Sequence, residues 1–173
     1  WTLPEPIRFA THVSGAHDAL FRAILLELGI DVVHVRHLAW HSLHLPRVAH
    51  ELDVPVVFSL HDFYMLCPSV TLVDAAGRYH PEGVADGGTS PLWDADPTTV
   101  PVTPAVLRAW QERMGRALLE SDMLVTTSDF VRERFLDVMP ALHARAPDRF
   151  RIVPHGRDFE AMSSLAREED IAA

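Results

Sequence analysis

PVVFSLHDFYMLCP, residues 55–68, is the stretch that decides the fold. Its first half belongs to an apolar, β-branched run that begins at Val54 and ends at Leu60 without a wide polar face. Such a run is typical of a strand covered on both sides in a parallel sheet, so we predict a central strand here. His61 and Asp62 follow at once. Because ligands of open α/β sheets bind outside the carboxyl ends of the strands, His61 is the leading candidate for a functional residue.

Both residues of this pair also have a purely structural interpretation. His61 would then be a polar residue at a strand end that only needs a hydrogen-bond partner. Asp62 would be the N-cap of a short helix formed by the apolar residues 63–66. Position favours the active-site interpretation for His61, whereas capping is the simpler explanation of Asp62.

Helical and strand-like patterns alternate along the rest of the chain. Predicted helices run from Asp18 to Gly29, over 45–52, from Thr103 to Glu120 and onward from Ser128, and predicted strands lie at 7–13, 31–35, 54–60, 123–127 and 150–153. Residues 68–103 lose this pattern, which predicts a long excursion loop with a small hairpin around Gly77. Strands joined through single helices form parallel, right-handed crossovers. We therefore predict an α/β fold, a Rossmann-like three-layer sandwich with a mostly parallel sheet.

Composition excludes several classes of function. The net charge of -9 argues against a nucleic-acid partner and gives no strong signal for a membrane surface. All 15 basic residues are Arg, so Schiff-base chemistry and a phosphate loop containing Lys are excluded within this chain. The one cysteine cannot form an internal disulfide, and no apolar run approaches 18 residues. These features predict a cytoplasmic protein.

Several other residues have side chains that are capable of chemistry. The spacing of His37, His41 and His44 would place three imidazoles on one helical face, but no acidic fourth ligand accompanies them, so a polar loop beside the crevice is favoured over a metal site. Cys67 is interpreted as a small buried hydrophobe rather than a nucleophile. Ser128 opens a helix whose free N–H groups suit an anion, although ordinary capping explains it as well.

Four motifs in order resemble the N-terminal domain of a family 4 retaining glycosyltransferase with the GT-B fold. They are DVVHVRHLAWHS at 31–42, VPVVFSLHDFYMLCP at 54–68, SDMLVTTSDFVRERF at 121–135 and RFRIVPHGRDF at 149–159. The resemblance covers about residues 18–159. It implies two Rossmann-like domains that face each other across a cleft, with the acceptor held mainly by the N-terminal domain and the nucleotide-sugar by the C-terminal one.

The same resemblance implies roles for particular residues. His61 would approach the donor sugar and its diphosphate as the catalytic residue. The acceptor side would comprise His37, Trp40, His41, Asp62 and Tyr64. Ser128, His155, Gly156 and Asp158 would serve the donor phosphate or the interdomain hinge, with His155 in place of the Asn of the family's P-N-G-x-D segment. No metal and no cofactor are implied beyond the nucleotide-sugar substrate.

The resemblance also divides the chain. Residues 1–159 are expected to form the acceptor-side domain, and residues 160–173 an interdomain linker or terminal helix. The family's first strand and its donor-binding domain are not recognisable, so this chain is expected to be an enzyme fragment that does not turn over alone. The missing strand predicts an exposed sheet edge, covered by residues 1–13 or by a second copy in a homo-oligomer. Two alternatives stay open: a non-catalytic α/β binding or regulatory module, and a metal-dependent hydrolase built on the histidines.

Overall fold

The computed structural model describes residues 6–85 and 91–154. The elements are α1 (Gly15–Leu28), β1 (Val33–Val35), α2 (Leu45–His50), β2 (Val56–Leu60), α3 (Pro91–Ala95), α4 (Pro104–Leu119), β3 (Met123–Thr126), α5 (Asp129–Val138), α6 (Pro140–Arg145), a 3-10 turn (Pro147–Arg149) and β4 (Phe150–Ile152). Across these residues, no helix combines the length and the apolar character needed to cross a membrane.

The four strands form one parallel sheet in the order β1-β2-β3-β4. Each strand is connected to its neighbour through at least one helix, as parallel pairing requires. β2 lies in the interior of the sheet, where Phe58 is paired with Val35 on one side and with Leu124 on the other. The predicted α/β class and the central position of the strand after Pro55 are therefore confirmed.

The two faces of β2 are covered to different degrees. Val56, Phe58 and Leu60 are fully buried and belong to the main core, whereas Val57 and Ser59 on the opposite face are half-buried. The side chain of Ser59 is hydrogen-bonded there to Nε2 of His34, at 2.7 Å. The described helices thus seal one face of the sheet completely and leave the other partly open.

Two helices begin at their predicted caps, whereas α1 begins at Gly15, capped by Ser14, rather than at Asp18. Thr103 and Ser128 accept hydrogen bonds from the backbone N–H groups of Val106 and Val131, so they cap α4 and α5. The hairpin around Gly77 is also present, because Val73 forms an antiparallel bridge with Tyr79. The short helices α3 and α6 were not predicted from the sequence.

Two local predictions were wrong. Residues 7–13 form turns rather than a strand, with the N–H of His12 bonded to the carbonyl of Arg8 at 2.6 Å. They pack on the excursion loop, where the N–H of Phe9 donates to Asp96, and do not pair with the outer edge of β1. The segment after Asp62 is a turn and not a helix: the carbonyl of Phe63 accepts the N–H groups of Leu66 and Cys67, at 2.9 and 2.8 Å, and no regular helix continues from there.

Gly29 ends α1 in the left-handed conformation, with φ 58 and ψ 52. We expect Gly29→Ala to lower the free energy of unfolding by about 1 kcal/mol, because a Cβ is strained at positive φ. Gly15→Ala is the matched control, since Gly15 opens the same helix, and an added Cβ meets nothing within 4 Å at either site. Urea unfolding of both variants measures the difference. Equal effects at the two positions would contradict the conformational explanation.

Candidate functional site

The parallel pairing of β1 and β2 brings two sequence-distant polar segments together. Val35, the last residue of β1, pairs with Phe58, so both strands end at the same edge of the sheet. His37 follows β1 after one residue, and His61 and Asp62 follow β2 directly. The carboxyl ends of the two strands thus form a cluster of two imidazoles and one carboxylate.

Asp62 lies between the two histidines of this cluster. Its Oδ2 is 3.5 Å from Nε2 of His37 and 3.4 Å from Nε2 of His61. Its Oδ1 accepts the N–H of Tyr64 at 2.9 Å, which fixes the turn that carries the carboxylate. Between a quarter and a third of each of the three side chains is exposed, at 25%, 26% and 33%. The cluster is therefore both held in place by the protein and partly exposed to solvent.

The two imidazoles compete for a single negative charge. Burial lowers the pKa of His37, and the positive charge of a protonated His61 would lower it further, although Asp62 acts in the opposite direction. A lowered pKa keeps His37 neutral near pH 7. The neutral ring has one donor and one acceptor nitrogen, which suits a hydroxyl ligand.

A buried tyrosine packs against the histidine of this cluster that follows β1. The ring of Tyr64 lies 4.4 Å from the ring of His37, centroid to centroid, and Tyr64 is only 2% exposed. Its hydroxyl is 2.6 Å from Nε2 of His12, and burial raises the pKa of the phenol. In this arrangement Tyr64 positions His37, while its hydroxyl is already engaged by His12.

His12 is the residue of this site that sequence reasoning missed. It is fully buried, lies at φ 56, and its Nε2 contacts a tyrosine 52 residues ahead in the chain. Burial is the main reason that the pKa of His12 is lowered to about 4. A left-handed histidine carries no distinctive local sequence pattern, so only the tertiary contact reveals it.

An aromatic cluster behind Tyr64 connects the site to the core. The indole Nε1 of Trp110 donates to the carbonyl of Tyr64 at 3.0 Å, and its ring packs edge-on against the rings of Tyr64 and Trp93. Phe9 stacks on Trp93, with 6.2 Å between the ring centroids. The excursion loop, the N-terminal turn and α4 therefore meet directly beneath the candidate site.

The other predicted residues after β1 are spread around the cluster. Trp40 is 57% exposed, with its ring 6.2 Å from that of His37. His41 is exposed at the mouth of a small cavity of about 100 Å³ beside α1, and the pKa of His41 is lowered by partial burial and then by His17. His44 points to another partner, since its Nδ1 lies 2.9 Å from Asp18.

The three histidines of the HxxxHxxH pattern therefore do not converge. Within residues 6–85 and 91–154, no group of three or more His, Cys, Asp or Glu side chains is placed to hold a metal ion. Cys67 is fully buried, and its Sγ contacts the hydroxyl of Ser69 and the backbone of Val84. Cys67 is therefore part of the packed interior, as the sequence predicts.

Ser128 lies after β3, at the same edge of the sheet as the cluster. It is half-buried, and its hydroxyl accepts the N–H of Val131 at 3.4 Å, so the structure uses it as a helix cap. The three remaining predicted residues, His155, Gly156 and Asp158, lie outside the described residues.

Acid is expected to destabilise the folded chain as the pH falls from 6.5 toward 4. In this window the unfolded chain protonates His12, whose ordinary pKa is 6.5, but the folded chain does not, because the pKa there is about 4. The free energy of unfolding should therefore drop by about 1.4 kcal/mol per pH unit. His37 and His41, whose pKa values are also lowered, add to the same trend.

Urea unfolding at about pH 7.5 and about pH 5 tests this expectation. His12→Asn removes the titrating group and keeps a residue type that tolerates positive φ. The variant should lose less stability than the wild type over this range, by about 2 kcal/mol. An identical loss in both proteins would show that His12 is not the group responsible.

The chain is thus an α/β protein with a polar cluster at the carboxyl edge of a parallel sheet, the edge at which ligands of open α/β sheets bind. The family model for Glycosyltransferase Family 4 matches residues 3–161. That match covers most of the 173 residues, and the chain belongs to glycosyltransferase family 4. Searches of curated proteins and of solved structures gave no significant match.

Proposed function

We propose that this chain forms the acceptor side of an enzyme that moves a sugar from a nucleotide-sugar donor to an acceptor hydroxyl, with retention of the anomeric configuration. The observation that carries the proposal is the cluster of His37, Asp62 and His61 at the carboxyl ends of β1 and β2, in a chain of glycosyltransferase family 4. Polar groups at this edge are the ones that contact ligands in open α/β sheets.

His61 is assigned the catalytic role. As the bond between the anomeric carbon and the diphosphate oxygen breaks, positive charge develops on the sugar and negative charge on the leaving group. Fixed dipoles and charges lower the energy of such a state. The imidazole of His61 is held by Asp62 and is one-third exposed, so it is available to donate a hydrogen bond to the diphosphate or to a sugar hydroxyl.

The acceptor is assigned to the side of the cluster that carries His37. A neutral imidazole there can hydrogen-bond an acceptor hydroxyl, and the exposed ring of Trp40 offers an apolar surface beside it. Asp62 orients both imidazoles, Tyr64 supports His37 from below, and His41 lies further out on the same loop. No resident metal or cofactor takes part in this proposal.

The donor is assigned to a second domain that faces this edge across a cleft. Ser128 and the segment containing His155, Gly156 and Asp158 would then lie toward the donor phosphate and the hinge. An enzyme of this kind has binding groups on both domains, so the 173-residue chain alone should not catalyse sugar transfer.

The cytoplasm is the proposed location, which the free thiol of Cys67 supports.

Transfer assays on the full-length protein encoded by the gene test this proposal. The protein would be incubated with a panel of nucleotide-sugars and hydroxyl acceptors in the presence of a chelator, and the product analysed by mass spectrometry and NMR. The expected product keeps the anomeric configuration of the donor. An inverted product or an absolute need for a divalent metal would contradict the proposed reaction. Saturable carbohydrate binding without any transfer would favour the non-catalytic binding module instead.

A further inference from the structure

A cleft beside the candidate site is lined by an excess of positive charge. It has a volume of about 310 Å³ and lies between α2 and α4, next to the N-terminal turn. Its charged and titratable lining consists of His44, Arg47, Arg113, Arg116 and Glu120. Three guanidinium groups thus face a single carboxylate, in a chain whose net charge is -9.

These arginines are weakly neutralised by the protein itself. Within residues 6–85 and 91–154, neither Arg113 nor Arg116 forms an ion pair, and Glu120 does not reach Arg116 although it follows four residues later on α4. Arg47 approaches Glu51 only to 3.9 Å, and that carboxylate is bonded mainly to Arg22. Like charges three residues apart on a helix repel each other, so Arg113 and Arg116 are unfavourable neighbours without an anion.

Arg113 is held in place by contacts that leave its charge uncompensated. One terminal nitrogen donates to the carbonyl of Ala10 at 2.6 Å, and the guanidinium lies over the ring of Trp110, 5.5 Å from the ring centroid. Its Nε is buried and has no hydrogen-bond partner among the described residues. Burial and the charge of Arg116 both lower the pKa of Arg113. The side chain as a whole is half-buried and lines the cleft, so the terminal N–H groups that do not bond to Ala10 are suited to an oxyanion there.

We propose that this cleft binds the phosphate group of a small ligand, with Arg113 as the fixed contact and Arg116 and Arg47 closing on it from α4 and α2. Guanidinium groups match the geometry of phosphate oxygens, and two or three of them balance its double negative charge. A volume of about 310 Å³ leaves room for a few atoms beyond the phosphate. The proposal does not depend on the transferase reaction, and its ligand is either a soluble phosphomonoester or an anionic lipid headgroup.

Titration of the 173-residue chain with inorganic phosphate and with glycerol 3-phosphate tests the site. The NMR signal of the Arg113 Nε–H should shift in a saturable way at millimolar ligand, and calorimetry should give the dissociation constant. Arg116→Gln should weaken binding about 10-fold, as the loss of one charge-assisted hydrogen bond predicts. Arg116 is exposed and unpaired among the described residues, so this variant is expected to fold normally.

Arg108→Gln is the matched control, because Arg108 is an exposed arginine of the same helix that lies outside the cleft. If both variants bound phosphate equally weakly, the loss of affinity would reflect only the net charge of the protein, and the proposal would be overturned. Vesicles of phosphatidic acid, compared with phosphatidylcholine, distinguish the two sources of phosphate. Binding to the acidic vesicles alone, lost in Arg116→Gln, supports a lipid headgroup. Failure of both soluble ligands and of the vesicles to bind would also overturn the proposal.

Discussion

Replacing His61 by alanine is expected to lower kcat/KM for sugar transfer by about 100- to 1,000-fold in the full-length protein. The imidazole carries the proposed catalytic role, and removing one fixed donor to a developing negative charge typically has an effect of this size. Its described partners are Asp62, at 3.4 Å, the carbonyl of Ser59, at 3.5 Å, and the ring of His37, with 6.2 Å between the ring centroids. The substitution should therefore leave the fold and the unfolding midpoint nearly unchanged.

His143→Ala provides the control for this experiment. His143 is an exposed histidine on α6 that is not part of the candidate site, and it forms no described ion pair. Its variant should transfer sugar at the wild-type rate. The catalytic role assigned to His61 would be wrong if His61→Ala kept more than about half of the wild-type kcat/KM, because the loss of such a hydrogen-bond donor should lower it far more.

Trp110→Ala is expected to lower the free energy of unfolding by about 3–5 kcal/mol, the largest stability effect predicted for this chain. Trp110 is 1% exposed and is the largest of the fully buried side chains. Its removal leaves a cavity among Tyr64, Trp93 and His12, and it also leaves the carbonyl of Tyr64 without its indole donor. Because small domains are stable by only about 5–15 kcal/mol, the variant should be close to unfolding at 37 °C.

Trp40→Ala removes the same side chain from an exposed position and serves as the control. Trp40 is 57% exposed, so its loss should change stability by less than about 0.5 kcal/mol. Urea unfolding followed by circular dichroism compares the two variants with the wild type. A midpoint of Trp110→Ala within error of that of Trp40→Ala would contradict the central position given to Trp110 in the core.

The aromatic residues that stabilise the core of the domain are also in contact with the residues of the candidate site. Trp110 bonds to the backbone of Tyr64, and Tyr64 packs against His37. Arg113 lies over the ring of Trp110 and lines the arginine cleft. The arginine cleft is therefore linked to the histidine cluster through two aromatic side chains, Trp110 and Tyr64.

Local patterns predicted most of the elements because their causes are local. The apolar run that ends at Leu60, the caps Thr103 and Ser128, and the stop at Gly29 each depend on a few neighbouring residues. The two failures have different origins, one distant and one local. Residues 7–13 have a strand-like composition but find their partners in the excursion loop, and the side chain of Asp62 closes a turn where a helix was expected.

The sequence by itself determined the parallel α/β order of the chain and placed His61 and Asp62 at a strand end, because hydrophobic periodicity and capping act over a few residues. Only the tertiary structure decided that His37 shares Asp62 with His61, that His12 holds Tyr64 from 52 residues away, and that Arg113 reaches Ala10 across 103 residues. These contacts depend on how the strands pair and how the loop folds over them. No local pattern specifies such pairings, since they are set by packing the whole core.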